Sequence, residues 1–230
     1  NPTGYTPTRK EAEEIVEILV ARGRSGKATL AVCDDAYFGL NYDPDSCEES
    51  LFALLSKADE NLLAVKVDGA TKEEFAWGLR VGFLTFGGLG LSSAQRDALA
   101  TKLTGSLRAT ISNSSNLGQH LVLRLLGDPN HEAQKREART VLEQRYRKVK
   151  EVLARMPGDT GLTPLPFNSG YFMAFRCQGV SPEALRKALL AKGVGTIALG
   201  KDILRVAYAA VDEELIEELY NRIFDAVRGL

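Results

Sequence analysis

Cysteine and histidine are scarce in this 230-residue chain, and each scarcity excludes a class of protein. The three cysteines, Cys33, Cys47 and Cys177, lie far apart and form no CxxC pair. This excludes a disulfide-stapled fold and predicts buried free thiols in a reducing, cytoplasmic setting. The two histidines, His120 and His131, are too few for a histidine-based triad or a zinc cluster, so we predict no metal site.

The chain also has no large excess of either charge and no long apolar run. The chain has 29 lysines and arginines against 30 aspartates and glutamates, for a net charge of −1. It therefore has no basic field for a nucleic acid backbone. No apolar run reaches membrane-spanning length, and the first residues lack the layout of a signal peptide. We expect a soluble protein with small-molecule or protein partners, and neither a nucleic acid nor a membrane partner.

Hydrophobic residues make up 44% of the chain, enough for a buried core, and their spacing predicts alternating helices and strands. A first helix begins at Thr8, where the spacing to Glu11 is that of a capping box, and is ended by Gly23 and Gly26. Two apolar runs, residues 28–33 and 62–67, predict buried strands whose carboxyl ends lead into polar residues. Ligands bind at that edge of open α/β sheets, so those polar residues are candidate site residues.

The remaining elements fall on either side of Gly127. Before it, we predict a strand over 79–86 and a capped helix that opens at Ser92. After it, Asp128-Pro129 begins a long charged helix, followed by a smaller domain. That domain is predicted to contain strands over 170–177, near 195–197 and over 203–206, a helix from Ser181, and a final amphipathic helix. The predicted division is therefore 1–127 and 128–230.

Polar signals recur at or near the predicted strand ends. They are Asn1-Pro2-Thr3-Gly4, Asp34 with Tyr37, Lys72 followed by Arg80, Asn168-Ser169-Gly170, and Arg205. Each has an ordinary structural interpretation when taken alone, such as a turn aspartate, a core tyrosine or an Asn-Pro turn. Arg205 is the exception, because an arginine inside an apolar strand needs an anionic partner or a route to the surface.

Taken in order, these signals resemble the class I and II aminotransferases of fold type I, pyridoxal-phosphate enzymes typified by aspartate aminotransferase. The most specific match runs from Gly69 to Gly82. The family has serine, any residue, serine and lysine there, followed by Gly-x-Arg-x-Gly, and Lys72 and Arg80 fit that pattern. Gly69 and Thr71 replace the two serines.

The resemblance implies an α/β fold that is part of a mostly parallel-sheet large domain, plus a smaller α+β C-terminal domain. Residues 1–127 would belong to the large domain. Because Asn1 opens a motif that lies mid-chain in the family, we expect the C-terminal portion of a longer, homodimeric enzyme. The family's ring-stacking aromatic residue and phosphate-cradling helix precede that motif. We therefore expect this chain alone to bind the cofactor weakly and to turn over little.

The resemblance also implies the cofactor, pyridoxal 5′-phosphate, and the residues that would hold it. Lys72 would form the Schiff base and move the substrate proton, and Asp34 would pair with the pyridinium nitrogen. A carboxylate after an apolar strand is expected to be buried, and so to need such a cation. Tyr37 would contact the phenolic oxygen. Lys66 is a competing lysine, but its distance from Arg80 along the chain fits the family pattern poorly.

Further contacts to cofactor and substrate follow from the same resemblance. Arg80 and Thr71 would bind the phosphate, and Asn1 would bridge the phenolic oxygen and the substrate carboxylate. Arg205 would bind the substrate α-carboxylate through two parallel hydrogen bonds, a task for which lysine is a poor substitute. Arg108 resembles a family arginine that binds a side-chain carboxylate, although a helix-terminal arginine before a Ser/Asn-rich turn explains it equally well.

We therefore predict a pyridoxal-phosphate-dependent aminotransferase that moves an amino group between an amino acid and a 2-oxo acid. Two alternatives remain open. A β-lyase or decarboxylase of the same fold would share all of these residues. The choice of reaction depends on which substrate bond is held perpendicular to the cofactor ring. A non-catalytic relative acting as a binding module would keep the scaffold, although a scaffold alone has no use for this set of residues.

Overall fold

The computed structural model describes residues 1–158 and 160–230 and has an α/β architecture, which confirms the predicted fold class. The helices are α1 (Arg9–Arg24), α2 (Leu51–Leu55), α3 (Ala70–Glu73), α4 (Ser93–Thr110), α5 (Asn116–Leu126), α6 (His131–Ala154), α7 (Pro182–Ala191) and α8 (Ile216–Arg228). The strands are β1 (Thr29–Asp34), β2 (Leu62–Gly69), β3 (Gly82–Gly87), β4 (Leu162–Pro164), β5 (Met173–Cys177), β6 (Ile197–Leu199) and β7 (Ile203–Val206).

The chain forms two compact units whose segments interleave along the sequence. The first-sheet unit comprises Pro7–Leu40 and Asp45–Lys135, and the second-sheet unit comprises Asn1–Thr6, Asn41–Pro44 and Arg136–Leu230. The helix α6 contributes residues to both. The predicted domain division at residue 127 stays a prediction.

A sheet in the order β1-β2-β3 organises the first-sheet unit. β1 and β2 are parallel, with Asp34 opposite Val67. β3 runs antiparallel to β2, with Gly82 opposite Gly69. Parallel strands direct their carboxyl ends to one edge, so the residues that follow Asp34 and those that follow Gly69 leave the sheet side by side. The pairing of Gly82 brings the residues just before β3 to the same edge.

The two predicted capping boxes are confirmed. The Glu11 carboxylate accepts the Thr8 N–H at 2.8 Å, and the Thr8 hydroxyl accepts the Glu11 N–H. At α4, the Gln95 side chain accepts the Ser92 N–H in the same way. The first helix ends at Arg24, between the two glycines predicted to end it.

The strand predicted over 203–206 is confirmed as β7, whereas the other predicted strands differ from the observed ones by up to three residues at their ends. One face of the first sheet is also more open than expected. In β1, Ala31 and Cys33 pack against Leu55, whereas Leu30 and Val32 are 63% and 59% exposed. The expectation of a strand buried on both faces is therefore wrong for β1, whose burial alternates with period two. β3 also starts later than predicted, because residues 77–79 form a 3-10 turn.

The second-sheet unit is built on the antiparallel order β4-β5-β7-β6. The amphipathic face predicted for the last helix is confirmed, since Ile216, Ile223 and Val227 of α8 are buried. Its Tyr220 and Phe224 rings lie 6.2 and 6.4 Å from the Phe175 ring of β5. Leu142, Tyr146 and Val149 of α6 are buried as well. The helix begins at His131 and not at the predicted Asp128-Pro129.

All three cysteines are buried and free, as predicted. In the part of the chain that the structure describes, no helix combines the length and apolar character needed to cross a membrane.

Candidate active site

Lys72 and Tyr37 meet at the carboxyl edge of the first sheet. Lys72 lies on α3, which follows β2 without a connecting loop, and Tyr37 lies three residues after the end of β1. The Lys72 Nζ is 4.6 Å from the centroid of the Tyr37 ring, and both side chains are half-buried. The parallel pairing of the two strands therefore brings together two residues that the sequence pattern assigned to one site.

Asp34 is the last residue of β1 and is exposed, so the expectation of a buried carboxylate at this position is wrong. The reason is the alternation of β1, which places Asp34 on the same open face as Leu30 and Val32. Its Oδ1 accepts the Ala36 N–H at 3.2 Å, an aspartate turn at the strand end.

The half-buried carboxylate at this edge belongs to the next residue, Asp35. Its Oδ2 accepts a hydrogen bond from the Ser50 hydroxyl. Burial raises the pKa of Asp35, and the Ser50 hydrogen bond and the Lys66 charge offset only part of that rise. Asp35 therefore anchors the turn between β1 and Tyr37 and points away from solvent.

Lys66, the competing lysine, is already engaged. Its Nζ forms an ion pair with Asp68 and lies 4.7 Å from the Phe38 ring centroid. Burial disfavours the ammonium, but the hydrogen bond and charge of Asp68 outweigh it and raise the pKa of Lys66. An amine held in its protonated form is a poor nucleophile, which argues against Lys66 as the covalent lysine.

The departure from the family pattern at Gly69 has a steric cause. A Cβ at this position would lie 2.6 Å from the Val81 carbonyl oxygen and 3.0 Å from the Gly82 Cα. Neither backbone atom can rotate away as a side chain would, so a serine does not fit without a shift of the paired strands.

Arg80 and Thr71 lie near in sequence to the point where Gly69 packs against Val81 and Gly82. Arg80 is exposed and has a left-handed backbone with φ 55° and ψ 44°, immediately before the residues that lead into β3. Thr71 lies on α3 and is half-buried. A left-handed conformation is uncommon for a residue with a Cβ and marks a locally constrained segment.

Asn1 and Arg205 lie together in the second-sheet unit. Arg205 is in β7, and its Nη1 donates to the Asn1 Oδ1 at 2.9 Å. Its guanidinium carbon also lies 4.4 Å from the Phe172 ring centroid, a cation–π contact. Phe172 lies two residues after the Asn168-Ser169-Gly170 motif. The structure therefore brings together Asn1, Arg205 and the segment of this motif, which lie far apart in the chain.

The turn that carries Asn1 rests directly on that motif. The Gly4 carbonyl oxygen accepts the N–H groups of Asn168 and Ser169, both at 2.9 Å. Gly4 has φ +70°, and a Cβ there would lie 2.3 Å from the Phe172 carbonyl oxygen. Only glycine combines this backbone angle with so close an approach.

Arg108 has the local environment of a helix-terminal arginine. It is exposed near the end of α4, and its Nη1 donates to the Ser112 carbonyl oxygen at 3.5 Å. This contact is the one expected from the structural interpretation of the Arg108 segment. The assignment of Arg108 to a substrate carboxylate stays a prediction.

A buried charge cluster beside Lys72 was not predicted. We call it the Glu74 cluster: the Glu74 Oε2 lies 2.5 Å from the His131 Nε2, and the Glu74 Oε1 accepts from the Lys135 Nζ at 2.8 Å. His131 and Lys135 are four residues apart and so share a face of α6, which is the one signal that the sequence carries. Glu74 is 57 residues away from His131, and no local pattern names it.

Comparison with protein families gives one match. Residues 1–223 match the family model described as aminotransferase class I and II. None of the curated proteins compared with the chain matches it.

Several solved structures share the fold. An aminotransferase from Anaerococcus prevotii is 25% identical, with a TM-score of 0.79 over 98% of this chain and 54% of its own. An alpha-aminoadipate aminotransferase from Thermus thermophilus, solved with N-(5′-phosphopyridoxyl)-L-leucine, is 22% identical, with a TM-score of 0.77 over 100% of this chain and 56% of its own. A kynurenine aminotransferase from Pyrococcus horikoshii, solved with PMP, is 21% identical, with a TM-score of 0.74 over 100% and 54%. The chain thus spans about half the length of the structures it matches.

Proposed function

Because this chain belongs to the class I and II aminotransferase family, we propose that it serves the pyridoxal-phosphate-dependent transfer of an amino group from an amino acid to a 2-oxo acid. The observation that carries the proposal is the meeting of Lys72 and Tyr37, with Nζ 4.6 Å from the ring centroid, at the carboxyl edge of β1 and β2. An amine and a phenol at one sheet edge are the groups that such a cofactor needs at its aldehyde and phenolic oxygen.

The donor set at this edge fits the cofactor in its chemistry. When bound, pyridoxal phosphate supplies an aldehyde that captures amines and a protonated pyridine ring that withdraws electrons from the substrate. Lys72 would offer the amine that the aldehyde captures. The exposed Asp34 carboxylate would pair with the protonated pyridine nitrogen. The Arg80 guanidinium and the Thr71 hydroxyl are a cation and a donor for the phosphate oxygens.

Lys72 has a second task in this proposal. Its Nζ would serve as the general base for the substrate α-proton and then as the general acid that returns it. The Tyr37 hydroxyl would be a donor for the cofactor's phenolic oxygen, and its ring lies beside the Lys72 amine. Lys66 cannot share the task while Asp68 holds its ammonium.

We assign the substrate α-carboxylate to Arg205. Its guanidinium is oriented by the Asn1 side chain and the Phe172 ring, and a planar fork binds a carboxylate through two parallel hydrogen bonds. Asn1 supplies a second donor through its amide. An acidic amino acid is the substrate class in which Arg108 would take part, through the side-chain carboxylate.

Homodimer formation and a cytoplasmic location belong to the proposal through the family resemblance. The buried free cysteines are compatible with a reducing compartment.

Reductive trapping tests the proposal. The chain is incubated with pyridoxal phosphate, treated with borohydride, digested and mapped. We expect the label to concentrate on Lys72 at low total occupancy, because this chain holds only part of the family's cofactor contacts. Lys66 is the matched internal control, since it lies six residues away but is ion-paired. The exposed Lys187 reports non-specific labelling.

Label concentrated on Lys66 or another lysine would overturn the assignment of the site, and high occupancy on Lys72 would contradict the expected weak binding. A second measurement separates the reactions of this fold: 2-oxo acid formation from a panel of amino acids is expected for a transaminase. Release of carbon dioxide or of a β-substituent would favour the decarboxylase or β-lyase alternative.

A further inference from the structure

The Glu74 cluster lies two residues after the proposed covalent lysine. We propose that Glu74, His131 and Lys135 form a positioning element that holds the Lys72 amine where the cofactor aldehyde must meet it. This inference rests on the proposed function and assigns a task to the buried histidine, which that function leaves without one.

The element that carries Lys72 cannot hold its own shape. α3 is a single turn of four residues, and Gly69 at its N-cap provides no side-chain hydrogen bond. Fixing one helical turn costs more conformational entropy than its few hydrogen bonds return. The direction of the Lys72 side chain must therefore be set by contacts on either side of the turn.

On the amino-terminal side, the close packing of Gly69 against Val81 and Gly82 supplies such a contact. On the carboxyl-terminal side, the chain leaves α3 through Phe75, whose backbone is left-handed with φ 52°. The Phe75 N–H bonds to the Lys72 carbonyl oxygen at 3.2 Å. A bulky residue in this region persists only where its surroundings hold it.

The Glu74 carboxylate provides that hold, because both of its oxygens are engaged by the first turns of α6. The His131 side chain is 7% exposed and the Glu74 side chain 11%, so their contact is largely shielded from solvent. Burial disfavours the charged carboxylate, but the hydrogen bonds from Lys135 and His131 outweigh it and lower the pKa of Glu74. A buried charge with two fixed partners resists displacement, because losing either partner leaves that charge uncompensated.

Glu73 adds to the same geometry. Its carboxylate lies 3.9 Å from the Lys135 Nζ, so Lys135 faces both acidic residues that follow Lys72. The residue after Lys72 and the residue after that are thus tied to one ammonium. A shift of α3 would break both contacts together, which is why we assign positioning to the cluster as a whole.

Trapping with pyridoxal phosphate and borohydride, followed by peptide mapping, measures the predicted effect as the ratio of label on Lys72 to label on Lys187. We expect His131→Ala to lower this ratio at least about tenfold, the size of effect that a misplaced reacting group produces. His131→Gln keeps an N–H donor toward Glu74 and is expected to restore most of the ratio. The exposed His120 provides the matched control, and His120→Ala should leave the ratio unchanged.

Circular dichroism of each variant separates loss of position from loss of fold. Should His131→Ala fail to fold, Lys135→Gln decides by the same ratio, because Lys135 is only partly buried. A folded variant, either His131→Ala or Lys135→Gln, with the wild-type ratio would overturn the positioning role and leave the proposed function standing. A wild-type chain that shows no preference for Lys72 would overturn both.

Discussion

Asn168 shows how one buried side chain can hold a segment that is distant in sequence. Its Oδ1 accepts the Thr6 N–H at 2.7 Å, and its Nδ2 donates to the Thr6 carbonyl oxygen at 2.8 Å. The side-chain amide therefore pairs with a backbone residue as a neighbouring strand would. Asn1 sits at the start of the segment held in this way, so the contact between Asn1 and Arg205 depends on Asn168.

At this scale we predict that Asn168→Ala destabilises the second-sheet unit by about 2–3 kcal/mol, because two backbone groups of Thr6 lose their partners. Urea unfolding followed by tyrosine fluorescence measures the change. Asn221 is an exposed asparagine inside α8 of the same unit, and Asn221→Ala is expected to stay within about 0.5 kcal/mol of wild type. Equal unfolding midpoints for the two variants would show that the Thr6 pairing contributes nothing.

At the junction of β2, α3 and β3, close backbone packing leaves no room for the serine that the family pattern has at position 69. Gly69 and Gly82 face each other across the sheet, and the strands approach too closely there for a side chain. The family serine would offer a hydroxyl to the phosphate, but its Cβ would collide with the Val81 carbonyl oxygen. In the proposed function, phosphate binding would then depend on a charge-assisted contact from Arg80.

At the scale of elements we predict that Gly69→Ser destabilises the first-sheet unit by about 1–3 kcal/mol, the range for overpacked sites. Gly78 has open space around its Cα and an ordinary φ, so Gly78→Ser is the matched control. Thermal unfolding of both variants measures the difference. A Gly69→Ser variant as stable as Gly78→Ser would mean that the strands separate at little cost.

Over the molecule as a whole, ionisable phenols are concentrated in the core of the second-sheet unit. Tyr42, Tyr146, Tyr208 and Tyr220 are buried there, and the hydroxyls of Tyr42 and Tyr208 both donate to the Gly170 carbonyl oxygen, at 3.1 and 2.9 Å. Burial raises the pKa of all four, and that of Tyr146 to about 12. The folded state therefore requires neutral phenols.

The sign of the resulting pH dependence follows from linkage. An unfolded tyrosine ionises near its ordinary pKa of about 10, so the stabilising effect is complete below that pH and is lost as pH rises toward 12. We predict that unfolding and tyrosinate absorbance appear together in this window. Tyr146→Phe should reduce the slope of stability against pH by up to about 1.4 kcal/mol per unit. Ionisation of all seven tyrosines of the chain while the protein stays folded would contradict the prediction.

Local chemistry was enough to predict most of the helices and strands, and it named Lys72, Tyr37 and Arg80 as candidate site residues. The capping boxes at Thr8 and Ser92 involve partners three residues away, so the sequence alone determines them. The spacing of Lys72 and Arg80 likewise lies within one segment and identifies the family pattern. The open face of β1 could not be read in this way, because Leu30 and Val32 are apolar and their exposure depends on what packs on the sheet.

The sequence by itself determined the α/β class, the helix starts capped by Thr8 and Ser92, and the set of reactive side chains. Each of these depends on neighbours a few residues away. Only the tertiary structure decided which of those side chains meet. Arg205 reaches Asn1 across 204 residues, and His131 reaches Glu74 across 57. Such contacts arise from strand pairing and core packing, whose free energy is shared over many distant residues and leaves no mark in any single segment.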